Sequence, residues 1–184
     1  MTKEKEPKRE SDAVYRLNIW YYKLTDLFRS PRRRLERIPV KEGMAVLDYG
    51  CGPGRYTLPL ARLVGAKGKV FAVDIQPLAI STVRGKAAGQ SLTNIEAILA
   101  DSYNTGIQDS SIDLVLFLDT LHQIEDCNAL FMEIHRVLKQ NGLLFMDPGH
   151  MKPERATEIV EATGLFTIAE CRDHDMLVVP KSRQ

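Results

Sequence analysis

The chain has 184 residues, 44% of them hydrophobic and 27% charged, with a formal net charge of +1; this is the profile of one globular domain with room for a sizeable core. No apolar run approaches the roughly 20 residues that a membrane helix needs, and the opening MTKEKEPKRESD lacks the apolar centre of a signal peptide, so cytoplasmic residence is the expectation. Cys51, Cys127 and Cys171 are odd in number and far apart, without a C-x-x-C pair, which argues against a disulfide framework or a zinc site; no metal is expected.

The small net charge hides an asymmetry. Residues 1–37 hold eleven Lys/Arg against six Asp/Glu, while the rest of the chain holds fourteen against eighteen. Residues 1–11 are polar and charged and read as a disordered tail. From Ser11 or Asp12, either of which suits an N-cap, apolar residues fall at Val14, Leu17, Tyr21, Leu24 and Phe28, so one helix is expected to about Arg29. Pro31 breaks it, and Arg32-Arg33-Arg34-Leu35 begins a second short turn before Pro39. The 12–39 segment is therefore expected to be a helical lid on a core of residues 40–184.

Within that core, apolar strands alternate with helical patterns. Ala45 runs as a strand into Asp48, and a helix follows from about Gly54 to Val64. Lys69 to Asp74 is a second strand, and Pro77 opens a helix that reaches about Gly89. Asn94 to Leu99 and Asp113 to Leu118 are the third and fourth strands. Cys127 to Gln140 reads as a helix stopped by Asn141-Gly142, and Leu143 to Met146 as a fifth strand. Pro153 to Thr163 is helical; Phe166 to Cys171 and Met176 to Val179 are strands joined by the charged turn Arg172-Asp173-His174-Asp175. Alternation of this kind implies a parallel sheet covered on both faces, and the close final pair implies a hairpin.

The stretch Ala45 to Leu58, AVLDYGCGPGRYTL, compresses a strand, a glycine-rich turn and a helix start. Glycine permits positive φ and lets a ligand approach the backbone, and a helix start offers N–H groups and partial positive charge. The turn is not a dinucleotide fingerprint, because Arg55 stands where the third glycine would fall, and no Gly-Lys-Ser/Thr marks a phosphate loop. Reading G-x-G-x-G after VLD, it resembles motif I of the class I S-adenosylmethionine-dependent methyltransferases. Residues 40–180 together resemble the fold of that family: an α/β three-layer sandwich, with a mostly parallel seven-stranded sheet and an antiparallel C-terminal edge strand. FLDTLHQIED, after the fourth strand, resembles the loop of its small-molecule members, such as those of quinone biosynthesis.

In open α/β sheets, ligands bind beyond the carboxyl ends of the strands. Asp74, closing the second strand, is positioned to accept from both ribose hydroxyls or to cap the Pro77 helix. The resemblance implies that Asp101 accepts from the adenine amine with the Ser102 amide beside it, that Ile75 offers apolar area to the ring, and that Gly50, Gly52 and Gly54 border the methionine moiety. Leu118 joins this cofactor set, as does Cys51, although Cys51 reads as a packing residue and not a nucleophile. Asp48, inside a strand, must be hydrogen-bonded, either within the glycine turn or to the cofactor's amino group.

The implied reaction is an in-line transfer of a methyl group from S-adenosylmethionine to a small-molecule acceptor. His122 and His150 are the residues whose titration range suits a general base, with Asp119 and Asp147 behind them. Tyr15, Trp20 and Tyr21, together with Asp119 and His122, are the acceptor-binding candidates; the aromatic residues serve equally to pack the helix. Arg29, Arg32, Arg33, Arg34 and Arg37 form a basic cluster that either meets phosphate, RNA or an anionic surface, or is simply a solvated helix end. Nucleic acid ranks below a small molecule, because no Asn/Asp-Pro-Pro-aromatic motif follows the fourth strand. A non-catalytic cofactor-binding protein of the same fold, an RNA or protein methyltransferase and a nicotinamide-dependent oxidoreductase are the alternatives.

Overall fold

A computed structural model describes Ser11, Tyr15 and residues 32–182. The strands are β1 (Ala45–Tyr49), β2 (Lys69–Asp74), β3 (Ile95–Leu99), β4 (Ile112–Leu118), β5 (Leu138–Asp147), β6 (Phe166–Arg172) and β7 (Asp175–Pro180). The helices described from residue 32 on are α1 (Arg32–Leu35), α2 (Thr57–Val64), α3 (Pro77–Gly89), α4 (Cys127–Val137) and α5 (Pro153–Ala162), with a 3-10 turn at Leu121–Gln123. The seven strands form one sheet in the order β3-β2-β1-β4-β5-β7-β6. All pairings from β3 to β5 are parallel, and β7 runs antiparallel to both β5 and β6. The strand order reverses between β1 and β4, which is where an open α/β sheet leaves a crevice.

The period of two along the central strands sorts side chains between two faces. Val46, Leu114 and Leu116 pack with Leu60, Ala61 and Val64 of α2. Leu47, Val115 and Phe117 pack on the opposite side with Leu130, Phe131 and Ile134 of α4 and Val160 of α5. The mostly parallel, three-layer arrangement read from the pattern is thus present, and so is the antiparallel pairing at its C-terminal side. The strand that turns against the rest is β7. It lies one place in from the edge, while β6 is outermost. Arg172 pairs with Asp175 across the expected hairpin, with Asp173 at φ +56°. The short turn expected after Pro31 is α1. The tail and the longer helix expected over 12–29 lie outside the described residues, save that Ser11 accepts the Tyr15 amide at 3.0 Å.

The boundary between the fourth helix and the fifth strand differs. The helix expected to run to Gln140 ends at Val137, and β5 begins at once with Leu138, five residues before the expected strand. Leu138 keeps a helical bond to the Ile134 carbonyl but turns extended (φ −64°, ψ 139°) and pairs with Ile112. Val137 and Leu138 are apolar whether they finish a helix or start a strand, so periodicity does not distinguish the two; pairing with β4 does. Gly142 then lets the strands close up, since a Cβ there would stand 3.1 Å from the Ile112 carbonyl oxygen.

The same alternation aims Asp48 at α2. The Thr57 hydroxyl donates to its Oδ2 at 2.6 Å, fastening the first turn of the helix to the central strand. Burial pushes the Asp48 carboxyl up to about 6, an effect the Thr57 bonds only partly offset. An acid bound to its proton more tightly when native than when unfolded loses stability as pH rises, here between about 4 and 6. At about 1.4 kcal/mol per unit, the loss is on the order of 2–3 kcal/mol. Asp48→Asn should therefore gain by that order on the wild type between pH 4 and pH 7.5 in urea unfolding; equal pH dependence of the two proteins would contradict it.

Candidate cofactor and acceptor site

Between β1 and α2 the chain passes through Gly50, Gly52 and Gly54 at φ +78°, +51° and +80°, values that favour glycine. The Gly50 and Cys51 amides both donate to the Val73 carbonyl, at 2.8 and 3.0 Å, so the turn leans on the end of β2. The three glycines are not equivalent. A Cβ at Gly50 would stand 2.7 Å from Thr120 Oγ1, and one at Gly54 would stand 2.7 Å from Leu58 Cδ1 and 3.1 Å from Val83 Cγ2. At Gly52 the first atom met is the Tyr15 hydroxyl oxygen, 3.9 Å away. Gly50 and Gly54 are glycine because neighbouring protein is close, whereas the space before Gly52 is open to a ligand. The helix expected to start at Gly54 starts at Thr57, after three further residues of turn.

Asp74 closes β2 and faces this turn. Its Oδ2 accepts the Gly52 amide and its Oδ1 accepts the Gln76 amide, both at 2.8 Å. Desolvation pushes its carboxyl upward, with the Gln76, Gly52 and Ile75 amides pulling the other way. Each oxygen retains a lone pair for a further donor. Both roles read for Asp74 thus have a basis in one side chain: the Gln76 bond steadies the start of α3, and the Gly52 bond orients the carboxylate across the turn. Asp101, after β3, is exposed and makes no hydrogen bond among the described residues. It stands beside Asp74, since the Ala100 amide donates to the Asp74 carbonyl at 3.0 Å. Ser102 is half-buried next to it. Ile75 is partly buried against the α4-side core, and Leu118 against the α2-side core.

Two further members of the expected cofactor set, besides Gly50 and Gly54, have structural partners instead of an open face. Asp48 is 4% exposed and spends its carboxylate on Thr57. The Cys51 side chain packs with Ala72, Ile80 and Val83. Burial holds its thiol well above its usual range, which removes it as a nucleophile.

The acceptor-side candidates sit after β4 and β5. Asp119 is left-handed at φ +51°, and its amide donates to the Asp147 carbonyl at 3.2 Å, joining the two strand ends. The His122 and His150 rings meet edge to face, with centroids 5.4 Å apart at 74°. Asp119 Oδ1 lies 3.9 Å from His122 Nδ1. Gly149 (φ +64°) makes this fit, because a Cβ there would run into the Asp119 carboxylate and come within 3.2 Å of His122 Nδ1. The structure therefore gathers His122, His150, Asp119 and Asp147, and brings Tyr15 to the glycine turn. Trp20 and Tyr21 lie outside the described residues.

The sequence reading did not find the partners of the basic cluster. Arg34 Nη2 reaches Asp147 Oδ2 at 2.6 Å and Arg34 Nε reaches Asp175 Oδ1 at 3.1 Å. Arg37 Nη1 pairs with Asp175 at 3.0 Å and Asp173 at 3.4 Å, and its Nη2 donates to the Arg172 carbonyl at 2.8 Å. These two arginines are thus not the free basic surface that a phosphate or RNA reading needs. The partners are separated by as many as 141 residues, from Arg34 to Asp175, and no local pattern announces them. Thr57 and Thr120 were missed for the same reason. Among the described residues, no group of three or more His, Cys, Asp or Glu could hold a metal ion, and no helix is long and apolar enough to cross a membrane.

Gly52, Asp74 and Asp101 thus stand at the carboxyl ends of three adjacent strands, with the Gly52 amide bonded to Asp74 and Asp101 following the residue that bonds the Asp74 carbonyl. A family model described as "Methyltransferase domain" matches residues 40–176. A demethylmenaquinone methyltransferase of Staphylococcus epidermidis is 33% identical over 105 residues, covering 57% of this chain and 43% of that protein. One from Geobacillus stearothermophilus is 29% identical over 109 residues, covering 59% and 47%; the chain spans rather less than half the length of these curated relatives. A solved S-adenosylmethionine-dependent methyltransferase from Aquifex aeolicus superposes with a TM-score of 0.74 at 24% identity, covering 81% of this chain and 88% of its own. The [4+2]-cyclase SpnF superposes at 0.67 with 22% identity, covering 79% and 59%. By the family match over residues 40–176 and by the fold it shares with these structures, the chain belongs to the methyltransferase-domain family, with the class I architecture of the S-adenosylmethionine-dependent enzymes.

Proposed function

We propose that this protein binds S-adenosylmethionine across the carboxyl ends of β1, β2 and β3 and passes its methyl group to a small-molecule acceptor held near β4 and β5. The observation that carries this reading is the pairing of the Gly52 amide with Asp74 beside a backbone face left open at Gly52. Asp74 holds the ribose hydroxyls with its remaining lone pairs, and Asp101 accepts from the adenine amine with Ser102 next to it. Ile75 and Leu118 supply apolar surface. Asp48 and Cys51 act behind the turn, fixing its shape. Bound there, the cofactor supplies a methyl group on a positively charged sulfur, and an acceptor in line with that bond takes it.

The residues of this chain then have three tasks: to orient, to exclude water, and to receive a proton when the acceptor has one to lose. Orientation alone supplies up to about 7–11 kcal/mol in favourable cases. His122 and His150 are the proton-accepting side, and Asp119 orients His122. Tyr15 covers the glycine turn. The names of the curated relatives make demethylmenaquinone the first acceptor to assay. Transfer of label from S-adenosylmethionine to such a compound, or to a component of a metabolite extract, supports the proposal; tight cofactor binding with no transfer to either favours the non-catalytic alternative.

Two substitutions test the cofactor side. Asp74→Ala removes a charge-assisted acceptor and should weaken S-adenosylhomocysteine binding at least tenfold, about 1.4 kcal/mol. Unchanged calorimetric affinity would remove Asp74 from the site. Gly52→Ala should cost the fold no more than the roughly 1–2 kcal/mol of a left-handed alanine, yet reduce affinity at least tenfold. Gly54→Ala should lower the melting temperature much further, because its Cβ meets Leu58 and Val83. Equal effects of Gly52→Ala and Gly54→Ala on both measurements would contradict the distinction between an open and a packed glycine.

A further inference from the structure

We propose that Arg34 is a positioning residue for the acceptor side: its guanidinium holds Asp147 in place, and through Asp147 it fixes the His122–His150 wall. The inference builds on the acceptor site placed after β4 and β5, and it gives the basic cluster a purpose that the composition left open.

Asp147 and Asp175 are only 6% and 5% exposed. They sit side by side at one sheet edge, since their neighbours Met146 and Met176 are register partners on β5 and β7. Two buried carboxylates so placed repel one another unless a cation lies between them. Arg34 is that cation, touching Asp147 through Nη2 and Asp175 through Nε. The Tyr56 side chain just before α2 also favours its charged form. Arg37 shares Asp175, but its other partners, Asp173 and the Arg172 carbonyl, belong to the hairpin. Arg34 alone of the two reaches Asp147.

Asp147 in turn meets both acceptor-side loops. Its Oδ1 accepts the Gly149 amide at 2.7 Å, and its carbonyl accepts the Asp119 amide at 3.2 Å. Gly149 lies against Asp119 and His122, one residue before His150. The rotamer of Asp147 therefore sets where Gly149 sits, and Gly149 sets how the two imidazoles face each other. Without Arg34 the Asp147 carboxylate is a buried charge beside another, and it relieves that by turning toward water, which releases the Gly149 amide. A lysine keeps the charge but is a single point, and cannot span two carboxylates as a planar fork does. Arg34 thus joins the segment that precedes the core to the loops that face the acceptor.

The test compares the full chain carrying Arg34→Gln, Arg34→Lys or Arg37→Gln, with histidine rings isotopically labelled. Arg34→Gln should abolish the ring-to-ring cross-relaxation between His122 and His150 and speed Gly149 amide exchange at least tenfold. Arg37→Gln removes an equal charge from the same cluster and should leave both signals as in the wild type. Arg34→Lys should fold with exchange at Gly149 raised several-fold, and it decides the matter if Arg34→Gln does not fold. Intact ring contact and Gly149 protection in Arg34→Gln, wild-type exchange in Arg34→Lys, or equal disturbance by Arg37→Gln would each overturn the proposal. S-adenosylhomocysteine affinity should stay within twofold in all three variants; loss of affinity parallel to the ring signals would show a general collapse and also overturn it. A wild type that binds no S-adenosylhomocysteine would sink the cofactor assignment, while the ring and exchange signals would still decide the role of Arg34.

Discussion

The Gly52 amide donating to Asp74 at 2.8 Å joins the turn after the central strand to the end of its neighbour. Everything proposed for the cofactor side depends on that contact. It fixes the direction of the Asp74 carboxylate, and it does so with a backbone donor that a side-chain substitution cannot remove. It also uses up one of the N–H groups that a glycine turn offers in principle, so recognition at this edge rests on acceptor oxygens more than on bare amides. The two Val73 bonds from Gly50 and Cys51 hold the same turn from below.

The carboxyl edge of the sheet concentrates acidic side chains: Asp48, Asp74, Asp101, Asp119, Asp147 and Asp175. Burying carboxylates is expensive unless each has partners, and the chain gives nearly every one a different solution. Asp48 takes a hydroxyl from α2, Asp74 takes amides, and Asp147 and Asp175 share arginines from the preceding segment. Asp101 is exposed and has no side-chain partner among the described residues. A ligand arriving at this edge finds most of the charge already bound and oriented. What remains open is the acceptor capacity of Asp74 and Asp101 on one side and the imidazole pair on the other.

The shared fold does not by itself choose the chemistry. A solved neighbour with this architecture is a [4+2]-cyclase, so methyl transfer is supported by the family match and the proposed site, not by the sheet. The proposed acceptor half lies after β4 and β5. A left-handed Asp119 and a glycine at 149 are needed there to bring two histidines within 5.4 Å of each other.

The sequence by itself determined the sheet, the glycine turn, and the acids at the ends of β2 and β3, because those features are local. Strand and helix periods, proline at a helix start and glycine at positive φ are all written within a few residues of where they act. Tertiary structure alone decided which glycine faces open space, since Gly50 is closed by Thr120 from a distant loop and Gly52 is not. It also decided that β5 begins at Leu138, because pairing with Ile112 outweighs a helical pattern that Leu138 would equally satisfy. And it turned an arginine run that resembled a solvated helix end into a bridge across Asp147 and Asp175, an interaction between charges that become neighbours only once β5 and β7 lie side by side.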